Sequence, residues 1–216
     1  MNDNFLLTLK VSYIEKRKLI RDRLGEFRHI FENGNDGNLF EELAFCIFAA
    51  GASAKMAVRS VESVKDVLMS ANTQELSTRL KGVHRFPNSR ANYVIHTREW
   101  LRKDYDLRLK NLILDLKTPV KRRDFFANYS GIKGIGYKES SHFLRNIGFR
   151  GYAILDKHIL RSLHEFELID DPRPPMTRSN YMRIERKLKK LAALLEIDFD
   201  ELDLLLWSEK TGGIIK

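Results

Sequence analysis

The sequence predicts an all-α protein, and three observations support this prediction. Apolar residues recur at helical spacing from end to end, and no alternating run of β-branched residues bounded by turns is found. The two clear loops, "ENGNDGN" and "IDDPRPPMTRSN", contain the glycines and prolines that interrupt helices. Of the 216 residues, 43% are apolar, which is enough for a buried core.

Eleven helices are expected, each from an apolar stripe at a spacing of 3.6 residues. In chain order they span 5–31 with a break near Gly25, 39–50, 53–69, 73–80, 89–103, 107–116, 119–128, 137–147, 157–166, 179–195 and 199–209. The loop "ENGNDGN" separates the first two helices, and the proline-rich loop precedes the tenth. The second helix contains the apolar run "LAFCIFAA".

We expect these helices to form two lobes of a single functional unit. Residues 38–120 form a middle lobe, and residues 1–37 together with 121–216 form a second lobe. The cleft between two lobes is the expected place for a binding site.

The charge of the chain favours a polyanionic partner. There are 38 Lys and Arg against 29 Asp and Glu, which gives a net charge of +9. The single cysteine, Cys46, excludes an intramolecular disulfide, a four-cysteine zinc site and a four-cysteine iron–sulfur cluster. The longest apolar run, 43–52, is too short to cross a bilayer, and no signal sequence precedes it. We therefore expect a cytoplasmic monomer with no membrane partner and no metal cofactor.

The stretch "GIKGIGYKES" is typical of a tight turn between two helices. Gly131, Gly134 and Gly136 can take positive φ or allow another backbone to come close. Free amides in such a turn, together with the N-terminus of the following helix, suit a DNA phosphate. The spacing excludes a Walker-type phosphate loop. A turn of this kind is more often structural than functional when it is considered alone.

Two polar residues follow this turn at positions suited to chemistry. Lys138 begins a polar helix face, and the apolar stretch from Ala153 to Leu155 leads to Asp156, the predicted N-cap of the next helix. A solvated lysine and an ordinary capping aspartate would fit the same pattern.

The segments "GIKGIGYKESSHFLRNIG" and "AILDKHI" together resemble the helix-hairpin-helix/GPD superfamily of DNA glycosylases. The short chain, the helical pattern and the missing cysteine cluster are most similar to the type 2 8-oxoguanine DNA glycosylase/lyases of archaea and bacteria. The resemblance implies that Lys138 is the nucleophile and that Asp156 is its catalytic partner. Ile154 and Leu155 stand where the superfamily has glycine and proline.

The same resemblance implies an activity and further site residues. The protein would remove 8-oxoguanine from double-stranded DNA and cleave the abasic strand by β-elimination. Trp207 would stack near the extruded base, and Lys216 would help to distinguish 8-oxoguanine from guanine. Arg85 and Phe86, before a proline break, would suit a wedge that fills the vacated stack, although a plain helix-joining loop fits equally well. The sequence leaves open whether a monovalent cation binds the hairpin carbonyls.

Two other functions stay open at this point. One is a glycosylase of the same fold that acts on another damaged base; relatives that only hydrolyse lack the lysine, so Lys138 disfavours them. The other is a non-catalytic helix-hairpin-helix module that uses its turn only to bind phosphate.

Overall fold

The protein is all-α, as the sequence predicted. The computed structural model describes residues 3–214, which form eleven helices and no strand. They are α1 Asp3–Asn33, α2 Asp36–Ala49, α3 Ala54–Val64, α4 Thr73–Leu80, α5 Pro87–Tyr105, α6 Leu109–Asp115, α7 Pro119–Asn128, α8 Tyr137–Asn146, α9 Lys157–Glu165, α10 Arg178–Leu195 and α11 Phe199–Thr211. Within residues 3–214 no helix is long and apolar enough to cross a membrane.

Most helices begin at a side chain that caps them. In seven cases a polar side chain at the N-cap accepts a hydrogen bond from a free amide of the first turn: Asn35, Ser53, Asn72, Thr118, Asp156, Thr177 and Asp198. Each such cap contributes about 1 kcal/mol to stability. Local sequence therefore determines most of the helix starts.

Helix α1 is continuous, so the predicted break near Gly25 is wrong. Gly25 lies on the exposed face, and a Cβ atom there would meet nothing within 4 Å. Its low helix propensity costs about 1 kcal/mol. The buried side chains of Ile20 and Phe27, on either side of it, hold both halves of the helix against the core.

Helix α3 is shorter than predicted. It ends at Val64, whereas the sequence predicted helix to residue 69. The following residues form tight turns, in which Val67 donates to the carbonyl of Val64 and Ser70 to that of Val67, both at 3.0 Å. The apolar side chains of this segment, such as Leu68, are buried without a helix.

The buried side chains form two hydrophobic clusters. The first is built mainly from α2 to α8 and ends at Tyr152. The second is built from α1, α9, α10 and α11 and includes Ala153 and Leu155. The division of the chain into lobes at residues 37 and 120 stays a prediction.

Two buried ion pairs join helices of the first cluster to helices of the second. Arg123 of α7 makes a bidentate pair with Glu185 of α10, and Nη1 of Arg145 in α8 lies 3.2 Å from Oδ2 of Asp203 in α11. All four residues are at most 5% exposed. Buried charges of this kind hold a fold together because separating either pair would leave a charge in an apolar interior.

We predict that Glu185→Gln destabilises the protein by about 3–5 kcal/mol at pH 7, because it leaves the Arg123 guanidinium buried without a carboxylate. Burial acts to raise the pKa of Glu185, but its hydrogen bonds and ion pair with Arg123 outweigh burial, so the pKa lies below the ordinary 4.5. The stabilisation is therefore present above pH 4.5 and is lost as the pH falls through the lowered pKa. Urea unfolding at pH 7 and at pH 3–4 measures both effects, and the difference between variant and wild type should shrink in acid.

The matched control is Asp124→Asn, which breaks the exposed pair between Asp124 and Arg178, with side chains 30% and 49% exposed. An exposed pair contributes at most about 1 kcal/mol. Equal losses in the two variants would contradict the assignment of a structural role to the buried pair.

Candidate active site

The turn between α7 and α8 packs tightly against α5. A Cβ atom at Gly131 would lie 2.0 Å from the ring of Trp100, and one at Gly134 would lie 2.5 Å from the ring of Tyr93. Gly134 also has a φ of +81°, where other residues are strained. Packing against α5 therefore requires glycine at these two positions.

The rest of the turn leaves room for a ligand. A Cβ atom at Gly136 would come no closer than 3.8 Å to a neighbouring side chain, that of Glu139. Within residues 3–214 the amides of Gly134 and Ile135 have no hydrogen-bond acceptor. Such amides beside a helix N-terminus can bind an anion. Contacts of Gly131, Gly134 and Gly136 with DNA stay a prediction.

Lys138 lies in the first turn of α8, directly after the glycine turn. Its side chain is 27% exposed, and Nζ lies 3.0 Å from Oε1 of Glu139. The other carboxylate oxygen of Glu139 accepts a hydrogen bond from the amide of Gly136 at 3.2 Å. Glu139 thus joins the end of the turn to the Lys138 amine and holds that amine near the surface.

Asp156 caps α9, as predicted. Its Oδ1 atom accepts hydrogen bonds from the amides of His158 at 2.8 Å and Ile159 at 2.9 Å. Within the described part of the chain Oδ2 has no hydrogen-bond partner, and the residue is half-buried. One oxygen therefore orients the carboxylate, and the other is available to a substrate.

The segment that leads to Asp156 is anchored through its backbone. Three consecutive amides donate to side chains of α10 and α11: Ala153 to Glu185 at 3.0 Å, Ile154 to Asp203 at 3.1 Å, and Leu155 to the hydroxyl of Tyr181 at 3.4 Å. The same acidic side chains pair with arginines of α7 and α8. The helix that carries Lys138 and the segment that carries Asp156 therefore share one buried set of contacts.

Burial governs the charges of the pair formed by Arg145 and Asp203. It raises the pKa of Asp203 to about 7, although the charge of Arg145 acts in the opposite direction. It also lowers the pKa of Arg145. The negative charge of Asp156 nearby acts to raise both values. The electrostatic field at Asp156 thus depends on how this pair is charged.

Arg85 and Phe86 lie beside the end of α2. The Phe86 side chain is 46% exposed, and the Arg85 guanidinium lies 4.7 Å from its ring centre and donates to the carbonyl of Gly51. His84 accepts the Phe86 amide at Nδ1 and contacts the carbonyl of Phe48 through Nε2, each at 3.0 Å. This arrangement requires the proton on Nε2, and burial lowers the pKa of His84, which favours the neutral ring. An exposed ring on a fixed backbone suits the predicted wedge, which stays a prediction.

Arg90 connects this region to the lysine site. It donates to the carbonyl of Ala50, and its guanidinium lies 5.7 Å from the ring centre of Tyr93, the residue that packs on the glycine turn. Burial lowers the pKa of Arg90, and the nearby charge of Glu139 partly opposes this effect. The end of α2, the start of α5 and the start of α8 therefore lie side by side.

Of the two residues predicted to recognise the base, the structure describes Trp207 but not Lys216. Trp207 lies in α11, half-buried against the second cluster. Ahead of the C-terminus, the carbonyl of Ile214 lies 3.5 Å from Nη2 of Arg23 in α1. Lys216 lies outside the described residues. The roles of Trp207 and Lys216 stay predictions.

No cluster of three or more His, Cys, Asp or Glu side chains within residues 3–214 is arranged to hold a metal ion. The expectation that the protein needs no zinc or iron–sulfur cluster stays a prediction, and so does a cation at the hairpin.

Sequence reasoning missed three residues of this site: Glu139, Arg90 and His84. Only Glu139 has a local signal, since Gly136 followed three residues later by glutamate has the spacing of half a capping box. Arg90 and His84 act through contacts with the end of α2, more than 30 positions earlier in the chain.

These features define a class. An all-helical fold with a glycine turn between two helices, a lysine just after it and an anchored aspartate on the following helix is that of the helix-hairpin-helix DNA glycosylases. A model of the 8-oxoguanine DNA glycosylase family matches residues 20–197, so this chain belongs to that family.

Curated relatives and solved structures match this protein along nearly its whole length. The protein is 37% identical over 207 residues to the 8-oxoguanine DNA glycosylase/AP lyase of Fusobacterium nucleatum and 34% identical over 203 residues to that of Methanocaldococcus jannaschii. Each alignment covers 94% of both chains.

The crystal structure of the Methanocaldococcus jannaschii 8-oxoguanine glycosylase/lyase in complex with a 15mer DNA containing 8-oxoguanine matches with a TM-score of 0.87 at 32% identity, over 97% of this chain and 100% of that one. The 8-oxoguanine DNA glycosylase of Thermotoga maritima matches with a TM-score of 0.88 at 33% identity, over 99% of each chain. The predicted family and fold class are confirmed.

We predict that Gly134→Ala lowers the melting temperature, whereas Gly136→Ala leaves it nearly unchanged. The first variant places a Cβ atom against Tyr93 at positive φ, a strain of about 1–3 kcal/mol. The second places one in ordinary van der Waals contact with Glu139, at 3.8 Å, at a φ of −121°. Thermal unfolding of both variants checks this. A Gly136→Ala protein as unstable as Gly134→Ala would contradict the packing described for the turn.

Proposed function

We propose that this protein removes 8-oxoguanine from double-stranded DNA and then cleaves the abasic strand 3′ of the lesion, as the first enzyme of base-excision repair. The observation that carries the proposal is the Lys138 amine, in the first turn of α8 directly after the glycine turn, in a chain of the 8-oxoguanine DNA glycosylase family. The named activity of the curated relatives, glycosylase and AP lyase, supports both steps.

The surface and the turn suit the substrate. A glycosylase must extrude the damaged nucleotide from the stack, which costs a few kcal/mol. The net charge of +9 attracts the duplex, and the free amides of Gly134 and Ile135 can hold a phosphate in place. The exposed ring of Phe86 can fill the gap that the extruded base leaves.

Lys138 is the nucleophile of the proposed reaction. Its amine can attack C1′ of the deoxyribose only when it is neutral, because an ammonium has no lone pair. The new N–C1′ bond replaces the bond to the base, and the base leaves with the proton that the attacking amine gives up. Ring opening gives a Schiff base, and loss of a proton from C2′ then expels the 3′ phosphate. Glu139, 3.0 Å from the amine, fixes its starting position.

Asp156 stabilises the reaction electrostatically. The sugar becomes positively charged as the base departs, and a fixed carboxylate stabilises that charge more than it stabilises the neutral substrate. The orientation of Oδ1 by two amides leaves Oδ2 for this purpose. The carboxylate can also accept the proton that the Lys138 amine loses.

We predict that Lys138→Gln abolishes covalent capture on 8-oxoguanine duplex DNA in the presence of borohydride, because an amide cannot form a Schiff base. Lys133→Gln is the matched control, since Lys133 is an exposed lysine of the same turn. Wild type and Lys133→Gln should both be captured. Capture of Lys138→Gln would assign the chemistry to another amine, and capture of wild type only on other damaged bases would point to a different lesion. A wild type that no damaged or abasic duplex captures would leave only a DNA-binding module.

We predict that Asp156→Asn slows base excision by a factor of about 10²–10³ while DNA binding is retained. Asparagine caps a helix as well as aspartate does, so α9 should keep its start and the fold its stability. Single-turnover excision and fluorescence anisotropy measure the two properties separately. A variant that loses binding together with rate would show that Asp156 has a purely structural role.

Recognition of the lesion is proposed for the C-terminal region. Oxidation converts N7 of guanine from an acceptor to a donor, and the carboxylate or carbonyl of the C-terminal residue, Lys216, is an acceptor that suits it. Trp207 would stack on the extruded base. These two roles rest on the family resemblance.

We predict that deletion of Lys216 lowers excision of 8-oxoguanine by about 10–100-fold, because it moves the terminal acceptor and leaves the new donor unpaired. Cleavage of a preformed abasic site should be unaffected, since no base is recognised there. Lys210→Ala removes a lysine that pairs with Glu165 near the same end and controls for charge. An equal loss on both substrates would contradict a role in base recognition.

A further inference from the structure

The hydroxyl of Tyr181 lies where α8 meets the segment that leads to Asp156. It lies 2.6 Å from the carbonyl oxygen of Ala153, 3.2 Å from Oγ of Ser141 and 3.4 Å from the amide of Leu155. Ser141 belongs to α8, whereas Ala153 and Leu155 belong to the segment before α9. One side chain of α10 therefore bridges the two structures that carry the proposed catalytic pair.

The three contacts use the full hydrogen-bonding capacity of a phenol. A phenol hydroxyl has one proton to donate and two lone pairs to accept with. The shortest contact, to the Ala153 carbonyl, requires the phenol proton, so the hydroxyl of Ser141 and the amide of Leu155 donate to Tyr181. Burial raises the pKa of Tyr181, which keeps this donor protonated. The phenol proton and both lone pairs of the Tyr181 hydroxyl therefore have partners, and only one arrangement of these hydrogen bonds fits.

The bridge lies close to both members of the pair. Ser141 follows Lys138 by three residues, which places the two on neighbouring positions of one helix face. Leu155 directly precedes Asp156. Lys138 and Asp156 are eighteen residues apart along the chain, and Tyr181 links their surroundings through one oxygen atom.

We propose that Tyr181 is a positioning residue that fixes Asp156 relative to the Lys138 amine. The proposal rests on the function proposed above, since it concerns the geometry of the same reaction. The hydroxyl acts by holding the carboxylate at the distance at which it stabilises the sugar and accepts the amine proton. It touches neither DNA nor the reacting atoms.

Tyr152 offers a control that matches Tyr181 closely. Both side chains are 1% exposed, and the Arg123 guanidinium lies 5.5 Å from the ring centre of Tyr152 and 5.4 Å from that of Tyr181. The hydroxyl of Tyr152, however, donates to the carbonyl of Pro119 at 3.1 Å, at the start of α7. Loss of either hydroxyl removes a hydrogen bond, part-buried for Tyr152 and buried for Tyr181, but only the Tyr181 hydroxyl lies between α8 and the segment before Asp156.

The test compares Tyr181→Phe with Tyr152→Phe in the full chain. Single-turnover rates are measured on an 8-oxoguanine duplex and on a preformed abasic duplex, with DNA affinity and melting temperature determined for each variant. We expect Tyr181→Phe to react at least about tenfold more slowly on both duplexes, since a displacement of 1 Å can cost about a hundredfold. DNA affinity should be unchanged, and Tyr152→Phe should react at the wild-type rate with a smaller fall in melting temperature, because it removes one part-buried hydrogen bond.

Ser141→Ala keeps the test decisive if Tyr181→Phe fails to fold. It removes only the contact on the α8 side and leaves the phenol bonded to the Ala153 carbonyl, so a smaller loss of rate at unchanged affinity is expected. Equal rates for Tyr181→Phe and Tyr152→Phe, or a wild-type rate in Ser141→Ala when Tyr181→Phe does not fold, would overturn the proposal. Inactivity of the wild-type protein on both duplexes would instead overturn the proposed function.

Discussion

The backbone of residues 153–155 imposes the constraint on which the rest of the structure depends. This segment before α9 is buried, so each of its amides needs an acceptor. The acceptors come from α10 and α11, and two of them are carboxylates. A buried carboxylate in turn needs a cation, which α7 and α8 supply as Arg123 and Arg145. The hydrogen bonds of these three amides and the ion pairs of their acceptors therefore connect α7, α8, α10 and α11, and with them both hydrophobic clusters.

This requirement also explains how the fold holds α8 and the segment before α9 in a defined arrangement. Burial of Asp203 and Arg145 is costly for each, as the shift of the Asp203 pKa to about 7 shows. Ion pairs of this kind often contribute little net stability, but they allow few alternative arrangements because each partner must stay paired. Here they hold α8, which carries Lys138, and the segment that leads to Asp156, the N-cap of α9, in one geometry. Specific geometry, more than added stability, is what catalysis by a fixed carboxylate requires.

The hairpin and the end of α2, which are the proposed DNA contacts, are each held in place by packing and by hydrogen bonds. Packing on Trp100 and Tyr93 fixes the turn, and two of its amides remain available. At the end of α2, carbonyls that a helix would leave unpaired are bound by Arg90, Arg85 and His84. The exposed ring of Phe86 is thereby attached to a rigid backbone, and an extruded nucleotide would meet surfaces that are already in place.

The sequence by itself determined the helices, most of their caps, the glycine turn, and the positions of Lys138 in the first turn of α8 and of Asp156 at the N-cap of α9, because these depend on residues close together in the chain. Helical periodicity, N-cap side chains and glycine spacing act over a few residues and are legible in one sequence. The continuity of α1 through Gly25 could not be predicted, since buried side chains on both sides override local propensity. Glu185, Asp203 and Tyr181 have ordinary helical patterns, and only tertiary packing shows that they anchor the segment before Asp156. Their partners lie between 26 and 62 positions away in the chain, where no local pattern connects them, so the three-dimensional fold alone decided the geometry of the site.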